Sequence, residues 1–245
     1  MKIGMICGSP RLKDSTSMYL LRALKEKLEK NNEDGTGTEA GTGSRTENGN
    51  SAGTGTGIEN RNSAGIEIRI CHASGQNTAE LAGKEVYDSD VLILAFPLYV
   101  DSIPSNLLGT MHGILNEIRN TESAERRKPK VYLIVNNGFY DAVQNSIAID
   151  QLWSWCGKCG FEKGYALAVG AGEMAQMSPL GHGPSVNLGN AVNRLAEDIC
   201  KGATGETVYV EPNFPRFLYK MAAHSGWRMG AKKNGLKAAE LRRRI

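Results

Sequence analysis

This 245-residue chain lacks any long apolar run. Its longest, 91–100, has ten residues and contains Pro97, well short of the roughly twenty that span a bilayer. A membrane-spanning helix is therefore not expected. The N-terminus runs from Lys2 through a short apolar stretch into GSPR, without the longer apolar stretch and small-residue cleavage site of a secretory leader. Cysteine is also scarce: the five residues Cys7, Cys71, Cys156, Cys159 and Cys200 are odd in number and scattered, unlike the dense framework of a small secreted domain. Together these absences point to the cytoplasm. The four histidines (His72, His112, His182 and His224) lie far apart, so no local zinc constellation exists and no metal is expected. Cys156 and Cys159 form a lone CxxC, readable as a redox dithiol, as half a metal site or as two ordinary thiols. No second CxxC or HxxxH accompanies it, which favours ordinary thiols.

The composition that remains is that of a globular protein, 40% hydrophobic and 22% charged, which excludes a wholly disordered or collagen-like chain. The length suits one large α/β domain or two small ones. Residues 33–65 stand apart, because nine of the 33 are Gly and only Ala40, Ala52, Ile58 and Ala64 are apolar. GTGT occurs at Gly35 and Gly53, and NSAG at Asn50 and Asn62. This segment reads as a low-complexity flexible surface insertion. No strand leads into its glycines and no helix pattern follows, so they do not form a dinucleotide fingerprint.

Outside the insertion, strand-like and helix-like segments alternate. Residues 2–7 and 91–96 are apolar strands, and the second (VLILAF) suits a strand covered on both faces. Residues 66–71 alternate Ile with charge, as a half-exposed strand does. Strands at 131–135 and 165–169 complete five. A helix over 15–30 carries Leu20, Leu21, Leu24 and Leu28, with Asp14 or Ser15 available as its cap. Another begins at Pro104 and sets Leu107, Leu108, Met111, Ile114, Leu115 and Ile118 on one face. Two more cover 146–159 and 186–200. This alternation implies a three-layer, doubly wound, five-stranded parallel α/β sheet over residues 1–213.

In such sheets, ligands bind beyond the carboxyl ends of the strands. The loop after the first strand reads GSPRLKDSTS and supplies Ser9, Arg11, Ser15, Thr16 and Ser17 at a helix N-terminus, a set suited to a phosphate monoester. It lacks the GxxxxGK[ST] of a triphosphate loop. The loop after the third strand, FPLYVDSIPS, offers Pro97, Leu98, Tyr99 and Val100 to a flat ring. The loop after the fourth, with Asn136, Asn137, Gly138 and Phe139, combines amides with a glycine that allows close backbone approach. The three loops together suit a phosphorylated, flat heterocycle. Residues 170–188 are long and glycine-rich, and form either a lid carrying Met174, Met177 and His182 or an ordinary connection.

The GSPR with STS, the PLYxDSIP segment and the NNGF segment resemble the NADPH-dependent FMN reductase family of NAD(P)H-dependent oxidoreductases, in the flavodoxin-like superfamily. The resemblance covers about 1–202 without the insertion. It implies sheet order 2-1-3-4-5 and FMN as cofactor. Ser9, Arg11, Ser15, Thr16 and Ser17 would hold its phosphate, and 97–100 with 136–139 would line its ring. It further implies hydride transfer from NAD(P)H through the flavin to a quinone, nitro, azo or similar small acceptor, and a homodimer. No side chain is assigned as acid or base. Tyr99 either packs beside the ring or is simply half-buried. A single-electron carrier of the flavodoxin kind is the competing class. Such carriers have a tighter Thr- and Gly-rich phosphate loop and a strongly acidic surface.

Residues 214–245 hold nine Lys or Arg and one acid, a net +8, which leaves −5 for the rest of a chain whose total is only +3. Phe214, Phe217, Leu218, Met221 and Ala222 recur at helical spacing, so a basic helical extension is expected. No aromatic residues interleave its final basic run, and nucleic acid is not an expected partner.

Overall fold

In the computed structural model, residues 1–36, 65–73, 89–120, 128–237 and 240 are described. Strand β1 (Lys2–Cys7) is buried almost throughout and pairs in parallel with β2 (Glu67–His72) on one side and β3 (Val91–Pro97) on the other. β3 is followed across the sheet by β4 (Lys130–Asn136), β5 (Glu162–Val169) and a short β6 (Val208–Val210), all parallel. The order β2-β1-β3-β4-β5-β6 is the expected 2-1-3-4-5 with a sixth strand added at the edge. That strand, VYV, has three residues, too few for a period-2 pattern to register in the sequence.

Helices cover both faces of the sheet. On one side lie α1 (Thr16–Thr36) and, after β5, α4 (Val186–Cys200). Leu20, Leu21, Leu24, Leu28, Val192 and Leu195 meet Met5, Ile93 and Ile134 there. On the other lie α2 (Ser105–Asn120) and α3 (Ser146–Cys159), whose Leu107, Met111, Ile149 and Leu152 meet Leu92, Leu94 and Leu133. Successive residues of β3 and β4 feed opposite cores, which is why those strands read as unbroken apolar runs. Leu108 departs from the expected apolar face and is 46% exposed, whereas Leu115 and Ile118 pack against the core.

Ser15 caps α1: its Oγ accepts from the Met18 N–H at 3.2 Å. The helix runs on to Thr36, past the expected end at Lys30 and into the first residues of the proposed insertion. The rest of that insertion, 37–64, lies outside the described residues. After β6 comes α5 (Arg216–Lys233), the expected basic helix, none of whose residues is buried. Phe217, Met221, Trp227 and Met229 are exposed along it. Among the described residues no helix is long and apolar enough to cross a membrane.

Candidate cofactor cleft

The carboxyl ends of β1, β3, β4 and β5 meet at one edge of the sheet, and a cleft of about 320 Å³ opens there. That volume lies within the range of small-molecule sites. Ser9, Arg11, Ser15, Thr16 and Ser17 line it from the β1 loop, Pro97, Leu98 and Tyr99 from the β3 loop, and Asn136, Asn137 and Gly138 from the β4 loop. Glu173, from the loop after β5, completes the lining. Val100 and Phe139, expected beside these residues, are 98% and 55% exposed and lie outside it.

Each loop is shaped by its own backbone. Gly8 begins the β1 loop, and its N–H donates to Ala95 O at 2.8 Å. A Cβ at Gly8 would stand 2.9 Å from Phe96 Cβ, so only glycine lets the chain turn there. Beyond it, buried Ser9 accepts from the Arg11 N–H at 3.2 Å, and Asp14 takes a left-handed φ of 55° before the cap at Ser15. The β3 loop folds back as a tight turn, with paired N–H···O bonds between Tyr99 and Ser102. Its two central residues, Val100 and Asp101, have φ of 49° and 55°. Such values suit glycine and asparagine and strain a β-branched side chain.

The hydrogen bonds divide the donors between architecture and ligand. Thr16 Oγ1 donates to Gly172 O at 3.2 Å, and Ser17 Oγ donates to Asn136 Oδ1 at 2.8 Å. These two hydroxyl protons therefore tie the β1 loop to the β4 and β5 loops. What Thr16 and Ser17 leave open to the cleft is their first-turn N–H groups, which have no acceptor within their own helix. Arg11 supplies the cation. Asn137 is similarly committed: its Oδ1 accepts from the Phe139 N–H at 2.8 Å and its Nδ2 donates to Asp141 O at 3.2 Å. Of the two roles open to these asparagines, capping the loop or bonding a ring edge, Asn137 caps. That leaves backbone and the Asn136 Nδ2 as the polar surface of this loop, and the Gly138 N–H has no hydrogen-bond partner among the described residues.

Glu173 was not legible from sequence. It sits in a 3₁₀ turn (Gly172–Gln176) held by the Gly172 N–H donating to Asn137 O at 2.7 Å. A Cβ at Gly172 would lie 3.0 Å from Asn136 Nδ2, so the turn approaches the cleft as closely as glycine allows. Of the expected lid residues, Met174 is buried, while Met177 and His182 are exposed and outside the lining. The segment is a fastened connection.

Burial pushes the Cys7 thiol, 3.9 Å from Ser15 Oγ, above its ordinary pKa. In α3, burial raises Cys156, with the nearby Cys159 adding to it, and raises Cys159 to about 11, so both stay protonated thiols at neutral pH. No group of three His, Cys, Asp or Glu among the described residues could hold a metal ion.

A second depression, of about 520 Å³, lies at the opposite edge of the sheet between Asp90, Lys128, Lys130, Glu162 and Lys201. It is wider and more open, and Lys130 Nζ there already donates to Gly202 O at 2.6 Å. Despite its smaller volume, the carboxyl-edge cleft is the better candidate, because it lies where parallel sheets bind ligands.

No protein-family model matches this chain, and no curated protein does. Solved structures do. An NAD(P)H:quinone oxidoreductase from Methanothermobacter marburgensis superposes with a TM-score of 0.52 at 11% identity, over 81% of this chain and 96% of that one. An NADH:FMN oxidoreductase in its apo form gives 0.51 at 13% identity, over 84% and 91%. An NADPH-quinone reductase from P. pentosaceus gives 0.50 at 14%, over 81% and 97%. At these identities what is shared is the fold. With its sheet order, that makes the chain a flavodoxin-like α/β protein.

Proposed function

We propose that this protein is an FMN-dependent NAD(P)H oxidoreductase that reduces a small acceptor of the quinone, nitro or azo type, working in the cytoplasm as a homodimer. Residues 1–213 form its FMN domain in this reading. The observation that carries the proposal is the asymmetry of the carboxyl-edge cleft. A guanidinium, hydroxyls and a helix N-terminus stand on its β1 wall, and an apolar, aromatic and glycine wall comes from the β3 and β4 loops.

The donor set fits FMN. Arg11, Ser15 and the first-turn N–H groups of α1 would hold the phosphate, while Pro97, Leu98 and Tyr99 would flank the ring and the Gly138 N–H would meet its polar edge. Bound FMN supplies the hydride-accepting and hydride-donating chemistry. The chain's own residues then bind, orient and exclude water. The apolar β3 loop shields the ring, the Thr16–Gly172 and Ser17–Asn136 bonds hold the walls at fixed spacing, and Glu173 places a negative charge at the β5 side of the entrance. The fold likeness to quinone and FMN reductases supports the same reading.

The test is to incubate purified protein with FMN, follow flavin fluorescence, and then assay NAD(P)H consumption with a quinone or an azo dye. Saturable binding and acceptor-dependent turnover are expected. A protein that does not take up FMN overturns the proposal, and one that binds FMN without consuming NAD(P)H overturns its enzymatic half. Arg11→Ala with Ser15→Ala is expected to weaken FMN binding by roughly 10- to 100-fold, from loss of charge-assisted hydrogen bonds of about 1.5–3 kcal/mol. The circular dichroism spectrum should stay unchanged.

A further inference from the structure

Chain that follows the sheet returns to the cleft. The Tyr219 hydroxyl, in the first turn of α5, donates to Gly138 O at 2.6 Å. Around that bond, the Tyr140 hydroxyl donates to Phe214 O at 2.8 Å, and the Tyr140 and Tyr219 rings meet edge-on at 5.6 Å. Arg216 pairs with Asp141, and the Ala142 N–H donates to Glu211 Oε1 at 3.2 Å. Residues 211–219 thus form a strap across the outside of the β4 loop, whose Gly138 lines the cleft.

The strap acts on one peptide unit. Its carbonyl, Gly138 O, is held by Tyr219, and its N–H, on Phe139, is held by Asn137 Oδ1 at 2.8 Å. With both polar atoms taken, the unit has one orientation, although a Cβ at Gly138 would meet nothing within 4 Å and sterics alone leave it free to turn. Loss of the Tyr219 bond leaves the plane fixed at only one end. Tyr219 is well suited to hold it: burial, with Glu173 adding to it, raises the phenol pKa and keeps the donor proton in place.

We propose that Tyr219 is a positioning residue for the ring-side wall, fixing the Gly138–Phe139 peptide and with it Gly138, whose N–H faces the polar edge of a flavin ring. The inference rests on the FMN reading above. It makes the strap a support of the binding site, although none of its residues lines the cleft. The effect differs from that of the β1 loop. A loosened ring wall weakens every ligand carrying the ring, whereas loss of Arg11 weakens only those carrying the phosphate.

The experiment measures dissociation constants of the full-length protein for FMN and for riboflavin, which has the ring without the phosphate, in wild type, Tyr219→Phe, Arg216→Ala and Arg11→Ala. Tyr219→Phe is expected to weaken FMN and riboflavin by the same factor, about two- to tenfold, as suits one hydrogen bond. Its melting temperature should fall by no more than about 2–4 °C. Arg216→Ala, which releases the strap at Asp141, should give the same parallel loss, and Arg11→Ala should weaken FMN alone. Wild-type protein that binds FMN, paired with a Tyr219→Phe variant that binds both ligands as tightly or loses FMN alone, overturns the positioning role and leaves the FMN reading standing. Wild type that binds neither ligand overturns both.

Discussion

Single residues carry the sharpest constraints. Gly170 follows β5, and a Cβ there would collide with Tyr140 O and stand 2.9 Å from Ala142 N, both backbone atoms that cannot swing aside. Gly170→Ala is expected to destabilise the fold by about 1–3 kcal/mol or more, measured by urea unfolding. The opposite sign is expected at the β3 turn. Val100 pays for a left-handed φ with no burial in return, being 98% exposed. Replacing Val100→Asn and Asp101→Gly gives the pair that such turns prefer, and should raise stability by about 1–2 kcal/mol in the same assay. The β1 loop shows how far residue types can be read alone. A cap at Asp14 or Ser15 was legible because a helix of leucines follows, and Ser15 is the one that makes the bond. The commitment of the Thr16 and Ser17 hydroxyls to Gly172 and Asn136 was not, since their partners lie more than a hundred positions away.

Elements were legible where their periodicity was long. α3 and α4 begin and end where the apolar spacing places them, and β3 and β4 announce their double burial by lacking any polar alternation. The three-residue β6 and the 3₁₀ turn holding Glu173 were not legible, because neither is long enough to establish a period, and Glu173 enters the cleft only through contacts of Gly172 with the β4 loop. α3 also places the CxxC. Cysteines three apart on a helix share a face, and this one turns inward, burying both Cys156 and Cys159. A thiol reagent added to the native protein should modify exposed Cys200 quickly and half-buried Cys71 slowly. Cys7, Cys156 and Cys159 should react only after unfolding, as peptide mass spectrometry would show.

For the molecule as a whole, near-neutral charge conceals two unlike parts, an acidic α/β body and a basic C-terminal segment. The body also holds two phenols in its core. Burial, with the Asp198 charge adding to it, raises Tyr132 to about 12 and raises Tyr165 as well. The folded state therefore keeps protons that the unfolded chain releases near pH 10. Their contribution to stability is intact below about pH 10 and is lost as pH rises through about 12. Urea midpoints should fall steeply across that window, and Tyr132→Phe should flatten the fall.

The strap also sets an order of events during synthesis. Glu173 is the last residue of the cleft lining to leave the ribosome, and 46 positions separate it from Tyr219. At about 5–20 residues per second, the last lining residue is made roughly two to nine seconds before the residue that fastens the β4 side. In the proposed FMN reading, a nascent chain in that interval would present the phosphate-side donors with an unfastened ring wall, and tight loading of a flavin would wait until α5 has emerged.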